Sequence, residues 1–138
     1  MVNPVQTNFS DNSAVEFEDA SSDETWKTVQ VAASAADERK ADNVVVLKVS
    51  EVCYLADYFV ITTGFSGAQV RAICQAVLQN IVEELGRTPI SVEGQKEGNW
   101  VLIDYGDVVI HIMLPDEREF YNLEAFWNHA EPVDWSAT

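Results

Sequence analysis

The 138-residue chain is long enough for one domain and too short for two of ordinary size, and its 47% hydrophobic content supports a packed core. No run approaches the roughly 18 apolar residues of a membrane span. A formal charge of −15 excludes binding along a nucleic-acid backbone, which needs Lys and Arg to neutralise phosphates; it leaves open plain solubility or attraction to a basic protein partner.

In chain order, residues 1–22 are rich in Asn, Ser, Asp and Glu and show no sustained hydrophobic period, which predicts a disordered acidic tail. The N-terminus has neither the basic-then-apolar pattern of a signal peptide nor the Arg-rich character of a transit peptide, so a cytoplasmic protein is expected. Ser21 and Glu24 have capping-box spacing, and Trp26, Val29, Ala33 and Ala36 follow at helical intervals, predicting a helix from about Asp23 to Lys40. Val44–Val49 and Tyr58–Thr63 are β-branched runs of strand length, the second punctuated by Gly64.

A second capping box, Ser66 with Gln69, opens the clearest local element. Val70, Ile73, Cys74, Val77, Leu78, Ile81, Val82 and Leu85 form one apolar stripe, and Gly86 supplies a C-cap. Cys74 lies on that stripe and reads as a buried thiol; together with Cys53 it has neither disulfide-framework nor metal-site spacing. Pro89–Glu93 reads as a short strand and 94–99 as a polar turn. Trp100–Tyr105 and Val108–Leu114 then flank Gly106-Asp107, a two-residue hairpin signal. Pro115 stops the last strand, and a short aromatic helix over about Glu117–Asn128 closes the fold, with Phe120, Leu123 and Trp127 at helical spacing. The expected architecture is α/β (α+β): a mixed sheet of about five strands flanked by helices, forming one domain over 23–130 with a flexible tail at 131–138.

If Gly106 and Asp107 form the loop, Tyr105 opposes Val108 and Trp100 opposes Met113. Val101, Ile103, Tyr105, Val108, Ile110 and Ile112 then share a core face under the long helix. The other face carries Trp100, Leu102, Asp104, Val109, His111 and Met113. Such a mixture suits a protein interface with Trp100 and Asp104 left available, or a layer covered entirely by the last helix.

Chemistry finds little support. His111 lies mid-strand and His129 near the C-terminus, and no Ser, Cys or Thr has a local partner as a nucleophile. The six glycines form neither a Walker loop nor a dinucleotide fingerprint. Gly64-Phe65-Ser66 at a strand-to-helix turn could hold a phosphate, as in nucleotidyltransferases. Those enzymes also need carboxylates alternating along a strand for metal, and Asp104 and Asp107 instead straddle a turn. A binding protein without metal or cofactor is expected rather than an enzyme.

These residues, in this order, resemble the Iojap family of ribosomal silencing factors. The similarity runs through Ala56-Asp57-Tyr58-Phe59-Val60-Ile61, Thr63-Gly64 with Ser66 and Gln69, Glu93-Gly94, and Trp100 to Asp107. It continues through Val109-Ile110-His111, Arg118-Glu119-Phe120-Tyr121, Leu123-Glu124 and Trp127, and spans about Val29 to His129. The resemblance implies a nucleotidyltransferase-like core without catalysis, and a homodimer. It also implies a translational repressor that binds the large ribosomal subunit through ribosomal protein fourteen and blocks joining of the small subunit when nutrients run short. Relatives in organelles imply an alternative role in large-subunit assembly. By resemblance and strand geometry together, the expected contact residues are Trp100, Asp104, Tyr105 and Asp107, with Arg118, Glu119 and Tyr121 nearby. For Arg118 and Glu124 an ion pair holding the last helix is an equal alternative. Met113 stands where the family often has Phe, a tolerable exchange in an apolar contact.

Overall fold

The computed structural model describes residues 12–136. Its best-defined local element is α2 (Gly67–Leu85), which starts and stops where the sequence predicts. Ser66 accepts a hydrogen bond from the Gln69 amide at one end, and Gly86 in the left-handed conformation returns its N–H to Val82 at the other. Val70, Ile73, Cys74, Val77 and Ile81 are buried along one stripe. This stripe and the Val29, Ala32, Ala35 and Ala36 face of α1 (Asn12–Glu38) cover one side of the sheet. Small alanines let α1 approach closely, so both long helices fit over the same strands.

The sheet contains β1 (Asp42–Lys48), β2 (Tyr58–Thr63), β3 (Ser91–Glu93), β4 (Trp100–Asp104), β5 (Val108–Met113) and β6 (Glu131–Val133). Their order across the sheet is β3-β4-β5-β2-β1-β6. Among the described residues only the β2–β5 pairing is parallel, and α2 with the β3–β4 segment makes the crossover between them. The hairpin register is as expected, with Trp100 opposite Met113 and Asp104 opposite Val109. Val101, Ile103, Tyr105, Val108, Ile110 and Ile112 accordingly point into the core under α1 and α2.

The structure differs from expectation at four points. First, the helix expected from about Asp23 begins at Asn12, so residues 12–22 are helical rather than part of an irregular tail; the tail's first eleven residues lie outside the described residues. Once the packed segment around Thr25–Ala36 nucleates the helix, extension towards the N-terminus gains about one hydrogen bond per ordered residue. Second, residues 131–133 form an edge strand against β1, and Trp135 packs on the main core. Pro132 suits this edge because it need not donate outward. This strand brings the sheet to six.

Third, the closing helix is two helices, α3 (Pro115–Tyr121) and α4 (Leu123–Phe126), hinged at Asn122 with φ 45°. Pro115 starts α3 as well as ending the strand, since its missing N–H costs nothing at a helix N-terminus. Fourth, the break at Asn122 separates Phe120 from the stripe it was expected to share. Leu123 and Trp127 pack on the sheet while Phe120 faces solvent, 81% exposed.

Candidate partner-binding face

The second side of the sheet is built from Leu47, Val49, Phe59, Ile61 and Met113, roofed by Leu123 and Trp127. Phe59 meets Trp127 edge to face at 5.3 Å. Arg118 pins this roof. Its guanidinium donates to the Asn43 carbonyl at 2.8 Å and to Thr63 Oγ1 at 2.9 Å, and pairs with Glu124 at 2.8 Å. The roof stops short of β4 and β3. There Trp100 remains half-buried, its ring 4.8 Å from that of Tyr121 and its indole N–H donating to His111 Nδ1 at 3.1 Å. The mixed face is therefore covered over β1 and β2 and left open at the β4 end.

The seven expected contact residues divide. Trp100, Asp104, Glu119 and Tyr121 keep surface: Glu119 and Tyr121 are exposed, while Trp100 and Asp104 are half-buried. Asp104 also shapes the hairpin, since its Oδ1 accepts the Gly106 amide at 2.7 Å. Tyr105 is instead a core residue, 4% exposed on the opposite side of the sheet, where burial pushes its phenol up to about 12. Expecting it at the interface conflicts with the alternation that places it beside Ile103. Arg118, 8% exposed, serves as the clamp described above, the structural alternative for that residue.

Asp107 belongs to a second internal cluster. Arg87 reaches it with Nη2 at 2.9 Å and Nη1 at 3.1 Å, and the Thr25 hydroxyl donates to it at 2.6 Å. Arg87 also donates to the Tyr105 carbonyl at 3.1 Å and lies over the Tyr105 ring. Burial pushes the Asp107 carboxyl up, but the donated bonds from Arg87 and Thr25 outweigh it and hold the group below the usual carboxylate range. This cluster ties α1, the end of α2 and the hairpin together. Asp107→Ala strands the Arg87 charge and is expected to cost about 2 to 3 kcal/mol in a urea titration, with Asp107→Asn costing less because it still accepts.

Sequence reasoning passed over several residues at the open end. Phe120 borders an open cleft of about 510 Å³ with Asp116, Glu117, Glu119 and Tyr121. Glu93, Gly94, Trp100 and Leu102 line another of about 300 Å³. Glu93 lies opposite Leu102 across the β3–β4 pairing, a register that no local pattern reveals. Phe126, on α4, is 75% exposed. Acidic side chains thus border Phe120 and Tyr121 in one cleft and Trp100 in the other.

The Gly64–Ser66 turn is occupied by its own cap. The Phe65 amide donates to Gln69 Oε1 at 2.8 Å and the Gln69 amide to Ser66 Oγ at 3.1 Å. Gln69 also donates to the Arg39 and Lys40 carbonyls, tying the turn to the end of α1. Among the described residues no three His, Cys, Asp or Glu side chains are grouped to hold a metal. No helix among them is long and apolar enough to cross a membrane.

Residues 21–138 match the family described as ribosomal silencing factor during starvation, RsfS. The chain belongs to this family. It is 42% identical over 106 residues to the ribosomal silencing factor RsfS of Halalkalibacterium halodurans, covering 77% of this chain and 90% of that one. It is 40% identical over 102 residues to the chloroplastic protein Iojap of Zea mays, covering 74% of this chain and 44% of that longer one. A crystal structure of a protein from Chromobacterium violaceum superimposes with a TM-score of 0.71 at 31% identity, covering 81% of this chain and 92% of that one. The expected family and fold class therefore hold, and the family's description is regulatory rather than catalytic.

Proposed function

We propose that this RsfS-family protein is a cytoplasmic translational repressor, acting as a homodimer. It binds the large ribosomal subunit through ribosomal protein fourteen and sterically blocks joining of the small subunit, lowering translation under nutrient limitation. The observation that carries the reading is the open end of the mixed face. Trp100, Phe120 and Tyr121 supply aromatic anchors there, and Glu93, Asp116, Glu117 and Glu119 surround them with negative charge. An interface of this kind suits a basic protein, and the net charge of −15 steers encounter with one. Trp100, Asp104, Glu119 and Tyr121 make the contact, while Tyr105, Asp107 and Arg118 hold the scaffold behind it.

The test is co-sedimentation with separated subunits. The protein is expected to pellet with large subunits and to lower the fraction of joined ribosomes in a sucrose gradient. Trp100→Ala should weaken pelleting by roughly thirtyfold or more while the far-ultraviolet circular dichroism stays unchanged. Undisturbed joining at saturating protein overturns the blockade, and accumulation of immature large subunits in a deletion strain with normal joining assigns an assembly role instead.

A further inference from the structure

His111 has no role in the reading above, yet its surroundings are unusual for a mid-strand residue. Its neighbours along β5, Ile110, Ile112 and Met113, are fully buried aliphatic or thioether side chains. His111 itself is 6% exposed and packs edge to face on Phe59 at 5.2 Å. Its Nδ1 accepts the Trp100 indole N–H, which places the imidazole proton on Nε2. Nε2 finds no partner among the described residues. A buried polar ring with one nitrogen unsatisfied is a poor choice for stability alone, because an aliphatic side chain would avoid the desolvation cost. What the ring accomplishes is the one bond to Trp100.

That bond decides what Trp100 can offer. With its only donor engaged inside the protein and Tyr121 packed against the ring at 4.8 Å, the indole is held in place and presents π surface rather than a hydrogen bond. The cleft beside it is lined by Glu93, Gly94 and Leu102. Cross-strand pairing sets Glu93 opposite Leu102, and Leu102 opposite His111, so all three belong to the same face as Trp100. Gly94 has φ +87°, and a Cβ there would meet the Trp100 carbonyl oxygen at 2.0 Å, so the turn beside the indole requires glycine. An indole wall with a carboxylate at its edge is suited to a cation, and a flat guanidinium uses both groups better than an ammonium does.

We propose that His111 is a positioning residue that holds the Trp100 indole by its N–H, so that the ring and Glu93 together receive an arginine side chain of the basic partner. The arginine rests on the ribosomal reading above, whereas the hold of His111 on Trp100 belongs to the isolated protein and is tested without the ribosome.

The first measurement is the proton–nitrogen spectrum of the four tryptophan indoles in the full chain, with the Trp100 signal assigned by Trp100→Phe. The Trp100 indole proton should exchange slowly with water. His111→Leu, similar in bulk without an acceptor, should make it exchange fast, and His111→Asn, which keeps an acceptor near the Nδ1 position, should restore slow exchange. A Trp100 indole that exchanges freely in the native chain, or is indifferent to His111→Leu, overturns the positioning role.

The second measurement is affinity for purified large ribosomal subunits at fixed salt. His111→Leu should weaken it roughly tenfold and His111→Asn by no more than about threefold; Glu93→Gln should cost several-fold, and Glu93→Lys more than about tenfold. Native affinity in Glu93→Lys overturns the cationic occupant. If the native chain fails to bind large subunits at all, the ribosomal reading and the arginine fall together, and the exchange measurement still judges His111.

Discussion

Arg118→Ala is expected to lower the unfolding free energy by about 3 to 5 kcal/mol, among the largest effects of any single truncation in the chain. The guanidinium is buried and makes three bonds to separate parts of the fold: the Asn43 carbonyl ahead of the main run of β1, the Thr63 hydroxyl at the end of β2, and the Glu124 carboxylate on α4. Asn43 is itself in a left-handed conformation, with φ 52°, so its carbonyl is aimed by an irregular backbone that has few alternatives. Truncation leaves that carbonyl and the Thr63 hydroxyl without their donor and Glu124 without its counter-charge. Arg118→Lys should recover little, because one ammonium cannot span the same three acceptors in the plane of a fork. Glu124→Gln should cost only about 1 kcal/mol, since the amide oxygen still accepts and this end of the pair is the more exposed. Chemical denaturation of the three variants, monitored by tryptophan fluorescence, checks the ranking. Equal losses for Arg118→Ala and Glu124→Gln would reduce the clamp to a simple ion pair. The effect should extend to function, because α3, which carries Phe120 and Tyr121, and α4, which ends against Trp127, lose their anchorage together.

The second large effect is on acid stability. Burial pushes the His111 imidazole down to about 4 from an ordinary value of 6.5. The folded state therefore keeps His111 neutral where the unfolded chain already takes up a proton. The resulting loss of stability is absent above pH 6.5, grows at roughly 1.4 kcal/mol per pH unit as pH drops towards 4, and is complete below that, a total of about 3 kcal/mol. Asp107 acts in the same direction in a lower window. Its folded carboxyl lies below 3.8, so its contribution is present above that value and is lost only as the pH falls further. Unfolding free energies of the native chain and of His111→Asn, measured from pH 7.5 down to about 2.5, separate the two. The variant should lack the slope between 6.5 and 4 while retaining the loss below 3.8. A native profile that is flat across the upper window would show that folding does not keep the imidazole neutral.

Most of the architecture was legible because its signals are local. The stripe from Val70 to Ile81 between Ser66 and Gly86 specifies α2 by periodicity and caps. Gly106-Asp107 between two β-branched runs specifies the hairpin, its register and hence its two faces, since a one-residue slip would turn Ile103 and Ile110 towards the wrong side. The edge strand Glu131–Val133 was illegible because three residues carry no periodicity, and they become a strand only where β1 offers an open edge. The break at Asn122 was missed for a related reason. Helical spacing continues through it, and only the packing of Leu123 and Trp127 on the sheet decides that the axis must turn.

The open face illustrates the same division. By itself the sequence determined a family, a mixed sheet and an acidic character, and it singled out the hairpin surface around Trp100 as the distinctive one. Each of these rests on residue identity and on spacing along the chain. Only the tertiary structure decided which candidates face outward. Arg118, Asp107 and Tyr105 look as suited to contact as Glu119 or Tyr121 when read in line. Their roles differ because Asn43, Arg87 and Thr25, distant in sequence, come within hydrogen-bond reach of the first two, and because Tyr105 lies on the core side of the sheet. Trp100 acquires its held orientation from His111 across one strand pairing, and its acidic neighbour Glu93 across another. Long-range pairing brings these groups together, and no local periodicity encodes it.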